Sequence, residues 1–485
     1  LRGMYARQLD GFGQEQPQSA TESPAFHSET MAVYPGDKNN LPYDVVVERL
    51  HIEEPEPPAP VTEPEKTFEE VLDEHPVSIQ VNGQWQTFPN ARAAEEAAYG
   101  EYKDNLRRTA ENFRITDDHL GEGGPKAKFQ ANIAAIKLLK YLEETTEQAT
   151  PEQQKILSRY VGWGGLADAF DPEKPAWAAE YTQLKELLTP EEYTAARGST
   201  LNAHYTSPTV IRAIYETVGR MGFETGNILE PSCGVGNFFG MLPEKMRNSH
   251  LYGVELDPVS GRIAKQLYPK ADITVGGFET TDRRDFFDLA IGNVPFGQYQ
   301  VRDKAYNKLN FSIHNYFFAK ALDQVRPGGV VAFVTSRYTM DAKDSTVRRY
   351  LAQRAELLGA IRLPNDAFKK NAGAEVVSDI IFLQKRDRPL DIVPEWTQTG
   401  ILRVPAKSQD FVGEGGATEQ ASFSPQGGNE QAQSATTQDG FAINRYFIDH
   451  PEMVLGRQEP VSTAHGMDYT VNPIEGLELS DQLHD

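Results

Sequence analysis

Hydrophobic and polar positions along residues 201–390 predict a regular alternation of strands and helices. Short runs rich in Val, Ile and Leu between turn residues predict buried strands, and apolar residues at three- and four-residue spacing predict the helices between them. The predicted strands are 228–230, 251–255, 273–275, 289–292, 330–335, 357–362 and 378–384, and the predicted helices include 208–221, 260–267 and 314–325. Such a series predicts an α/β fold, a seven-stranded and mostly parallel sheet with helices on both faces. We place this domain at residues 200–390.

The segment before it, residues 66–199, predicts a small hairpin followed by a mainly helical N-terminal domain. Alternating apolar residues on both sides of an Asn-Gly pair predict two strands joined by a tight turn. Helical spacing then returns over residues 91–108 and 127–144. A Trp among three glycines, at 159–166, is more typical of a packed turn between helices. A contact with nucleic acid or a partner is the second interpretation and stays open.

The two ends of the chain differ in composition from these domains. Residues 1–65 begin with polar and small residues and close with a Pro- and Glu-rich linker, which predicts an extended upstream tail. Residues 391–485 are rich in Gln, Ser, Gly and Glu, most of all from 408 to 440, and we predict that they are largely disordered. Within them, residues 441–455 predict a short docking helix or a segment of a following module.

Composition excludes several classes of protein. The only cysteine of the 485 residues is Cys233, so neither a disulfide framework nor a cysteine-based zinc cluster can form, and no metal site is predicted. No apolar run approaches the roughly 18 residues of a membrane span, and residues 1–20 lack the apolar core of a signal peptide. These features predict a cytoplasmic protein that does not bind membranes.

The net charge of −22 is unevenly distributed. Residues 201–390 carry 25 Lys and Arg against 20 Asp and Glu, so the acidity lies in the two flanks. A mildly basic central domain permits contacts with the phosphates of a nucleic acid, although the same balance is ordinary for an enzyme with a neutral substrate.

A glycine turn follows the first predicted strand and precedes a helix. Residues 230–237 read Glu-Pro-Ser-Cys-Gly-Val-Gly-Asn, and the two glycines let the backbone turn tightly and approach a ligand. Glu255 ends the next strand 19 residues after Gly236, the spacing at which a carboxylate accepts hydrogen bonds from ribose hydroxyls. Asp257 is equally suited to cap the following helix. These features predict a nucleotide-type ligand at the carboxyl ends of the strands.

The fourth predicted strand ends abruptly in Asn293, Val294, Pro295 and Phe296. The Asn293 amide oxygen and the adjacent backbone carbonyl can both accept hydrogen bonds from an exocyclic amino group. They would also stabilise the positive charge that develops as its nitrogen attacks a methyl donor. Pro295 stiffens the turn, and Phe296 offers a face on which a base could stack. We therefore predict that these four residues form the catalytic segment.

The motifs occur in the order Tyr-Thr-Ser-Pro, glycine turn, Gly-Val-Glu-Leu-Asp-Pro and Asn-Val-Pro-Phe. This order resembles that of the γ-type N6-adenine DNA methyltransferases of restriction–modification systems, over about residues 200–390. With residues 159–166, 359–364 and 378–383, the chain is also similar to the methyltransferase part of the large methyltransferase–helicase proteins of phages and conjugative elements, which include the defence-against-restriction B antirestriction proteins. The resemblance implies a Rossmann-like class I S-adenosylmethionine-dependent methyltransferase fold.

The resemblance also implies roles for individual residues. Residues 205–208 would hold the methionine end of S-adenosylmethionine, the glycine turn would form the cofactor loop, and Glu255 would bind the ribose. Residues 293–296 would receive a flipped adenine. The full set of implied cofactor-binding residues is Tyr205, Thr206, Pro208, Glu230, Pro231, Gly234, Gly236, Asn237, Phe238, Glu255 and Glu279.

Three features depart from the family pattern. Val294 occupies a position where relatives carry proline, which keeps the backbone carbonyl but makes the turn less rigid. Many relatives place an aspartate on the cofactor adenine sixteen residues before the catalytic asparagine; this chain has Gly277 there, so Glu279 is the expected substitute. Residues 391–485 provide no target-recognition domain of adequate size. Because the chain begins with Leu1, we expect it to be part of a longer polypeptide with a helicase module downstream.

The resemblance implies a site-specific, adenine-specific DNA methyltransferase that acts in restriction–modification or antirestriction for a phage or mobile element. Three alternatives stay open: N4-cytosine methylation, methylation of glutamine side chains, and a non-catalytic DNA-binding or antirestriction scaffold that keeps only the fold. Methylation at carbon 5 of cytosine is excluded, because it needs a nucleophilic cysteine after proline and Cys233 follows Ser232 in the glycine turn.

Overall fold

A computed structural model describes residues 30–33, 45–48, 75–200, 206–368, 376–403, 440–463 and 466–484. The chain divides into two units. The smaller unit is formed by residues 1–110 with 146–148, and the larger unit by residues 111–145 with 149–485. The predicted hairpin falls in the smaller unit and the strand–helix series in the larger one.

The smaller unit contains an antiparallel sheet of four described strands, in the order β1-β2-β3-β4. They are β1 (Thr30–Val33), β2 (Val45–Glu48), β3 (Val77–Val81) and β4 (Gln84–Phe88). Asn82 and Gly83 have positive φ angles and close the β3–β4 hairpin, as the Asn-Gly pair predicts. Helix α1 (Ala91–Thr109) packs Ala94 and Ala98 against the apolar face of β3.

The larger unit is built on a sheet of seven strands among the described residues. They are β5 (Asn227–Glu230), β6 (His250–Glu255), β7 (Asp272–Val275), β8 (Phe287–Asn293), β9 (Val325–Ser336), β10 (Ala355–Leu363) and β11 (Ser378–Lys385). Their order is β7-β6-β5-β8-β9-β11-β10, and β11 alone runs antiparallel to its neighbours. The predicted seven-stranded, mostly parallel sheet is confirmed. The strand order reverses between β5 and β8, where sheets of this kind bind ligands.

Helices pack on both faces of this sheet. They are α2 (Pro125–Thr145), α3 (Pro151–Leu157), α4 (Ala178–Leu187), α5 (Pro190–Ser199), α6 (Pro208–Arg220), α7 (Asn237–Gly240), α8 (Pro258–Leu267), α9 (Ile313–Gln324), α10 (Tyr338–Asp341), α11 (Thr346–Arg354), α12 (Arg445–Asp449) and α13 (Leu479–His484). Ile228 and Leu229 belong to different hydrophobic clusters, because neighbouring strand residues point to opposite faces. Helices α6 and α8 pack in the first cluster and α9 in the second. None of the described helices is long and apolar enough to cross a membrane.

Helices α2, α3, α4 and α5 share the hydrophobic core of the seven-stranded sheet. The rings of Phe129 and Phe170 meet Trp163 edge to face, and all three belong to the cluster that contains Ile228. We expected a separate N-terminal domain that ends at residue 199, whereas the division between the units falls at residue 110. The physical reason is that apolar side chains from α2, α3, α4 and α5 complete the core on one face of the sheet.

The described residues after 391 form more secondary structure than the sequence predicts. Strand β12 (Thr399–Leu402) pairs with β13 (Phe441–Asn444), and β14 (Arg457–Thr463) pairs with β15 (Gly466–Asn472). The predicted short helix within 441–455 corresponds to α12. Residues 404–439, which include most of the Gln- and Ser-rich stretch, lie outside the described part of the chain.

A buried arginine holds this C-terminal segment on the sheet. The Arg362 guanidinium donates two hydrogen bonds to the Asp379 carboxylate, at 2.7 and 2.8 Å. It donates two more, to Asp341 at 2.7 Å and to the Tyr469 hydroxyl at 2.6 Å. A buried cation is stable only with such partners. The sequence does not predict this arrangement, because the residues that face Arg362 are far apart along the chain.

Candidate active site

A cavity of about 470 Å³ opens at the carboxyl ends of β5, β6, β7 and β8. Its volume is typical of a site for a small molecule or cofactor. The residues that directly follow these four strands form most of its wall, which is the location that the strand order predicts. Within the described part of the chain, no group of three or more His, Cys, Asp or Glu side chains is arranged to hold a metal ion.

The glycine turn after β5 forms one side of the cavity. Gly234 and Gly236 have φ angles of 55° and 83°, in the left-handed region that favours glycine. A Cβ atom at Gly236 would lie 2.5 Å from the ring of Tyr268, which is buried and cannot move aside easily. The turn is closed by a hydrogen bond of 2.7 Å from the Gly236 amide to the Cys233 carbonyl. Helix α7 then begins at Asn237, which also lines the cavity.

Glu255, the last residue of β6, is fixed by the backbone around it. One carboxylate oxygen accepts a hydrogen bond from the Gly234 amide and the other from the Asp257 amide, both at 2.7 Å. Burial raises the pKa of the Glu255 carboxyl to about 7, and the backbone amides oppose that rise only in part. Asp257 caps α8 and accepts a hydrogen bond of 2.8 Å from the Ser260 amide, as its position predicts.

Glu230, the last residue of β5, is a buried carboxyl in the same wall. Its Oε2 atom is buried and has no hydrogen-bond partner among the described residues. Burial raises the pKa of Glu230 well above its ordinary range, and the nearby charge of Glu255 raises it further. Gly292 of β8 leaves space for this side chain, because a Cβ atom there would lie 3.3 Å from the Glu230 Cγ atom. Burial therefore favours the protonated form of this carboxyl, and a protonated carboxyl can donate a hydrogen bond to a ligand.

The predicted catalytic segment lies where β8 ends. Asn293 pairs with Val334 of β9, and the Val294 amide donates a hydrogen bond of 3.1 Å to the Val334 carbonyl. The side chains of Asn293 and Pro295 line the cavity together with Val294. Phe296 does not line it; the ring is half-buried and packs against the hydrophobic cluster on one face of the sheet.

Two further segments complete the cavity, and sequence reasoning did not place either of them there. Tyr160, Gly162, Ala195, Gly198 and Ser199 come from the turn after α3 and from the end of α5. Trp163, in the same turn, is almost completely buried, so the packed turn that the sequence predicts at 159–166 is confirmed. Spacing alone gives no signal for these residues, because only the packing of the helices onto the sheet brings them to the cavity.

The segment after Pro295 forms another part of the cavity wall. Tyr299, Val301, Ile313 and Phe317 line the cavity there, with Phe278 from the turn after β7. The rings of Phe278 and Phe317 lie 5.0 Å apart between centroids.

A buried ion pair fastens this segment to α9. The Lys320 ammonium donates a hydrogen bond of 2.8 Å to the Asp303 carboxylate, which also accepts one of 2.8 Å from the Tyr316 hydroxyl. Both charged side chains are more than nine-tenths buried.

Most of the predicted site residues meet in this cavity. Those that line it are Thr206, Glu230, Pro231, Gly234, Asn237, Phe238, Glu255, Glu279, Asn293, Val294 and Pro295. The Glu279 carboxylate folds over Gly277. Gly236 shapes the turn without lining the cavity, and Pro208 is buried as the first residue of α6. Tyr205 lies outside the described residues.

The seven-stranded, mostly parallel sheet with helices on both faces is the Rossmann-like architecture predicted for a class I S-adenosylmethionine-dependent methyltransferase, and S-adenosylmethionine is the cofactor of that class. Residues 186–411 match the family model of the N-6 DNA methylases. The predicted resemblance to the N6-adenine DNA methyltransferases is therefore confirmed, and the matched range includes every described strand of the seven-stranded sheet.

Two curated proteins illustrate the resemblance. The chain is 28% identical to the defence against restriction protein B of Escherichia phage P1 over 272 residues, which cover 55% of this chain and 10% of that protein. It is 42% identical over 83 residues to the type II methyltransferase M.CvrRI of Paramecium bursaria Chlorella virus XZ-6E, covering 17% of this chain and 21% of that enzyme. The chain thus spans only a small part of the length of each relative.

Solved structures include matches of lower similarity. One is a protein of Listeria monocytogenes assigned as a class I S-adenosylmethionine-dependent methyltransferase, with a TM-score of 0.35 and 17% identity, covering 56% of this chain and 90% of that chain. Another belongs to a type I restriction–modification system, with a TM-score of 0.33 and 16% identity, covering 61% of this chain and 67% of that chain.

Proposed function

We propose that this protein transfers the methyl group of S-adenosylmethionine to the N6 amino group of an adenine in DNA. The observation that carries the proposal is the position of Asn293, which ends β8 in the wall of the same cavity that Gly234 and Glu255 line. A methyl donor at the glycine turn and an amino group at Asn293 would therefore share one cavity. The match to the N-6 DNA methylases supports adenine as the methylated base.

The residues present fit S-adenosylmethionine. The backbone turns tightly at Gly234 and Gly236, so that a ligand can approach the main chain closely. Glu255 uses one lone pair of each oxygen on a backbone amide, which leaves others to accept hydrogen bonds from ribose hydroxyls. The buried Glu230 carboxyl offers a further polar group. Bound S-adenosylmethionine supplies an electrophilic methyl group on a positively charged sulfur, and transfer leaves S-adenosylhomocysteine.

Asn293 would orient the amino group of the base. Its side-chain oxygen and the adjacent backbone carbonyl would accept hydrogen bonds from the two N–H groups of the amino group, which would direct the nitrogen lone pair toward the methyl carbon. As the nitrogen takes the methyl group from the sulfur, positive charge would develop on the nitrogen, and the two oxygens would stabilise it. The nitrogen would then release one proton to solvent water and become a neutral methylamino group. The hydrogen bond from Val294 to β9 holds this segment in position.

The adenine would have to leave the DNA helix to reach Asn293. Extrusion of a base costs about a few kcal/mol, and the cost is lowest in DNA that is already unpaired. The excess of Lys and Arg over residues 201–390 supports contacts with the DNA backbone during this step.

We also propose that the chain works in the cytoplasm as part of a longer methyltransferase–helicase polypeptide of a phage or other mobile element. The similarity to the defence against restriction protein B supports this context, since this chain covers 10% of that protein. Target recognition would then depend on segments other than the cavity described here.

The test is to incubate the protein with DNA that lacks adenine methylation and with S-adenosylmethionine labelled in its methyl group, then digest the DNA and identify the labelled nucleoside. We expect N6-methyladenine. N4-methylcytosine would keep the methyl-transfer chemistry and contradict the choice of base. No labelled nucleoside, with cofactor binding intact, would contradict transfer to DNA by this chain and favour the scaffold function.

Replacement of Asn293 separates binding from transfer. We expect Asn293→Ala to lower the transfer rate at least about a thousandfold while the cofactor affinity changes less than about twofold, because the proposed role of its side chain is to bind the base and stabilise the transition state. The matched control is Asn248→Ala, since Asn248 is exposed and away from the cavity. Calorimetry gives the cofactor affinity. Equal losses of affinity and rate would contradict the role of Asn293.

A further inference from the structure

The cavity contains an aromatic side chain that the family motif does not point to. Phe296 is the motif residue expected to stack on the target base, but its ring packs against the hydrophobic cluster of the sheet and does not line the cavity. Tyr299 lines the cavity with Asn293 and Pro295. Tyr299 is 50% exposed, so part of its ring is accessible to a ligand.

The backbone at Tyr299 is held firmly, so its exposure does not reflect a loosely attached segment. The Tyr299 carbonyl accepts a hydrogen bond of 2.8 Å from the Ile313 amide at the start of α9. Asp303, a few residues further along, is fixed by the buried ion pair with Lys320 and by the Tyr316 hydroxyl. Both connections join the segment to the same helix.

The Tyr299 ring packs closely against Gly297. A Cβ atom at Gly297 would be 2.6 Å from the Tyr299 Cε1 atom and 2.8 Å from Cδ1, well inside normal contact distance. The Cδ1–Cε1 edge of the ring therefore lies against Gly297, and a side chain at that position would displace it. A half-exposed aromatic ring in the cavity wall, in the same cavity as the Asn293 amide, suits a planar base.

We propose that Tyr299, in place of Phe296, is the aromatic surface on which the base held by Asn293 stacks. The inference rests on the proposed transfer to a base extruded from DNA, and it adds the residue that holds the plane of that base. The stacking surface is independent of base identity, because every base has a π face. Selection of adenine is left to the hydrogen bonds at Asn293.

The experiment compares four variants of the full chain. Tyr299→Ala removes the ring, Tyr299→Phe keeps it, Gly297→Ala displaces it, and Phe296→Leu alters the motif residue. The first readout is kcat/KM for transfer to DNA that lacks adenine methylation. A stacked base contributes enough for a loss of about 5- to 150-fold in Tyr299→Ala and Gly297→Ala. Tyr299→Phe should recover most of that loss because it keeps the ring, and Phe296→Leu should lose less than Tyr299→Ala.

The second readout does not depend on transfer. It is the ratio of affinities for a random-sequence single-stranded oligonucleotide and for an abasic oligonucleotide of the same length, both with S-adenosylhomocysteine present. We expect Tyr299→Ala to lower this ratio by the same factor as it lowers kcat/KM, whereas a merely structural role would leave the ratio unchanged. Cofactor affinity, measured by calorimetry, should be the same in all four variants.

Three outcomes would overturn the inference. One is a loss confined to Phe296→Leu, another is an unchanged affinity ratio in Tyr299→Ala, and the third is a loss of cofactor affinity as large as the loss of transfer. If the parent protein forms no N6-methyladenine, the proposed function fails, and the affinity ratio still decides whether Tyr299 binds a base.

Discussion

Glu255 makes cofactor binding sensitive to pH near neutrality. Both of its oxygens face backbone amide donors, at 2.7 Å from Gly234 and from Asp257. A proton on either oxygen would point toward a donor and would remove an acceptor that the ribose needs. We therefore expect S-adenosylmethionine to bind the ionised form of Glu255 and to bind the protonated form poorly.

The size of the effect follows from the pKa of Glu255, which burial raises from 4.5 to about 7. Roughly a tenth of the molecules are ionised at about pH 6 and roughly nine tenths at about pH 8, so affinity rises about tenfold between them, or about 1.4 kcal/mol. A glutamate with an ordinary pKa would be ionised throughout that range, and its affinity would stay flat.

The effect of Glu255 on the free energy of unfolding without cofactor has the opposite pH dependence to its effect on cofactor affinity. Because the folded state holds the Glu255 proton more tightly than the unfolded state, the contribution of Glu255 to stability is fully present below about pH 4.5 and is lost as the pH rises through about 7. The contribution of this one group is about 3 kcal/mol.

The assay is calorimetric titration with S-adenosylmethionine across this pH range, beside urea unfolding of the protein without cofactor. Glu255→Gln is the matched control, since it keeps the shape and loses the titration; ionisation of the ligand itself affects both proteins and cancels in the comparison. We expect Glu255→Gln to bind the cofactor more weakly, and we expect its affinity to lack the tenfold rise that the parent protein shows between about pH 6 and about pH 8. A difference between the two proteins that does not change with pH would refute the reasoning.

Two further predictions concern the walls of the cavity. Lys320→Met leaves the Asp303 carboxylate buried without its cation, so we expect urea unfolding to show a loss of about 3–5 kcal/mol, largely recovered when Asp303→Leu is added; a loss below about 1 kcal/mol would contradict the role of the ion pair. Gly236→Ala combines a positive φ angle with a Cβ atom 2.5 Å from the Tyr268 ring, so we expect a loss of about 2–4 kcal/mol and weaker cofactor binding by calorimetry. Gly100→Ala, in helix α1 and outside the cavity lining, where a Cβ atom meets nothing within 4 Å, is the control.

The sequence predicted the sheet and one side of the cavity well because those features depend on local patterns. The strands before Gly234 and Asn293 are short apolar runs, and the turns that follow them need particular residues within a few positions. Glu255 could be predicted because parallel strands bring their carboxyl ends to the same edge of the sheet. Each of these strands and turns is defined by residues close together in the chain.

The other parts of the site depend on packing between distant segments. Tyr160 and Gly162 reach the cavity only because Trp163 is buried in the core that α2 shares with the sheet. Tyr299 lines the cavity and Phe296 does not. Tyr299 packs closely against Gly297, and no periodicity in the sequence reveals that contact. The strands after residue 440 were missed because composition over the preceding segment suggested disorder.

The buried cluster around Arg362 determines where this protein can be divided. The family match ends at residue 411, whereas Arg362 donates one of its hydrogen bonds to the Tyr469 hydroxyl, 107 positions further along the chain. A gene fragment that stops after the last recognisable motif would leave β12 without β13 and a buried cation one partner short. The smallest piece that can be produced alone, or exchanged between related proteins, therefore extends past residue 472.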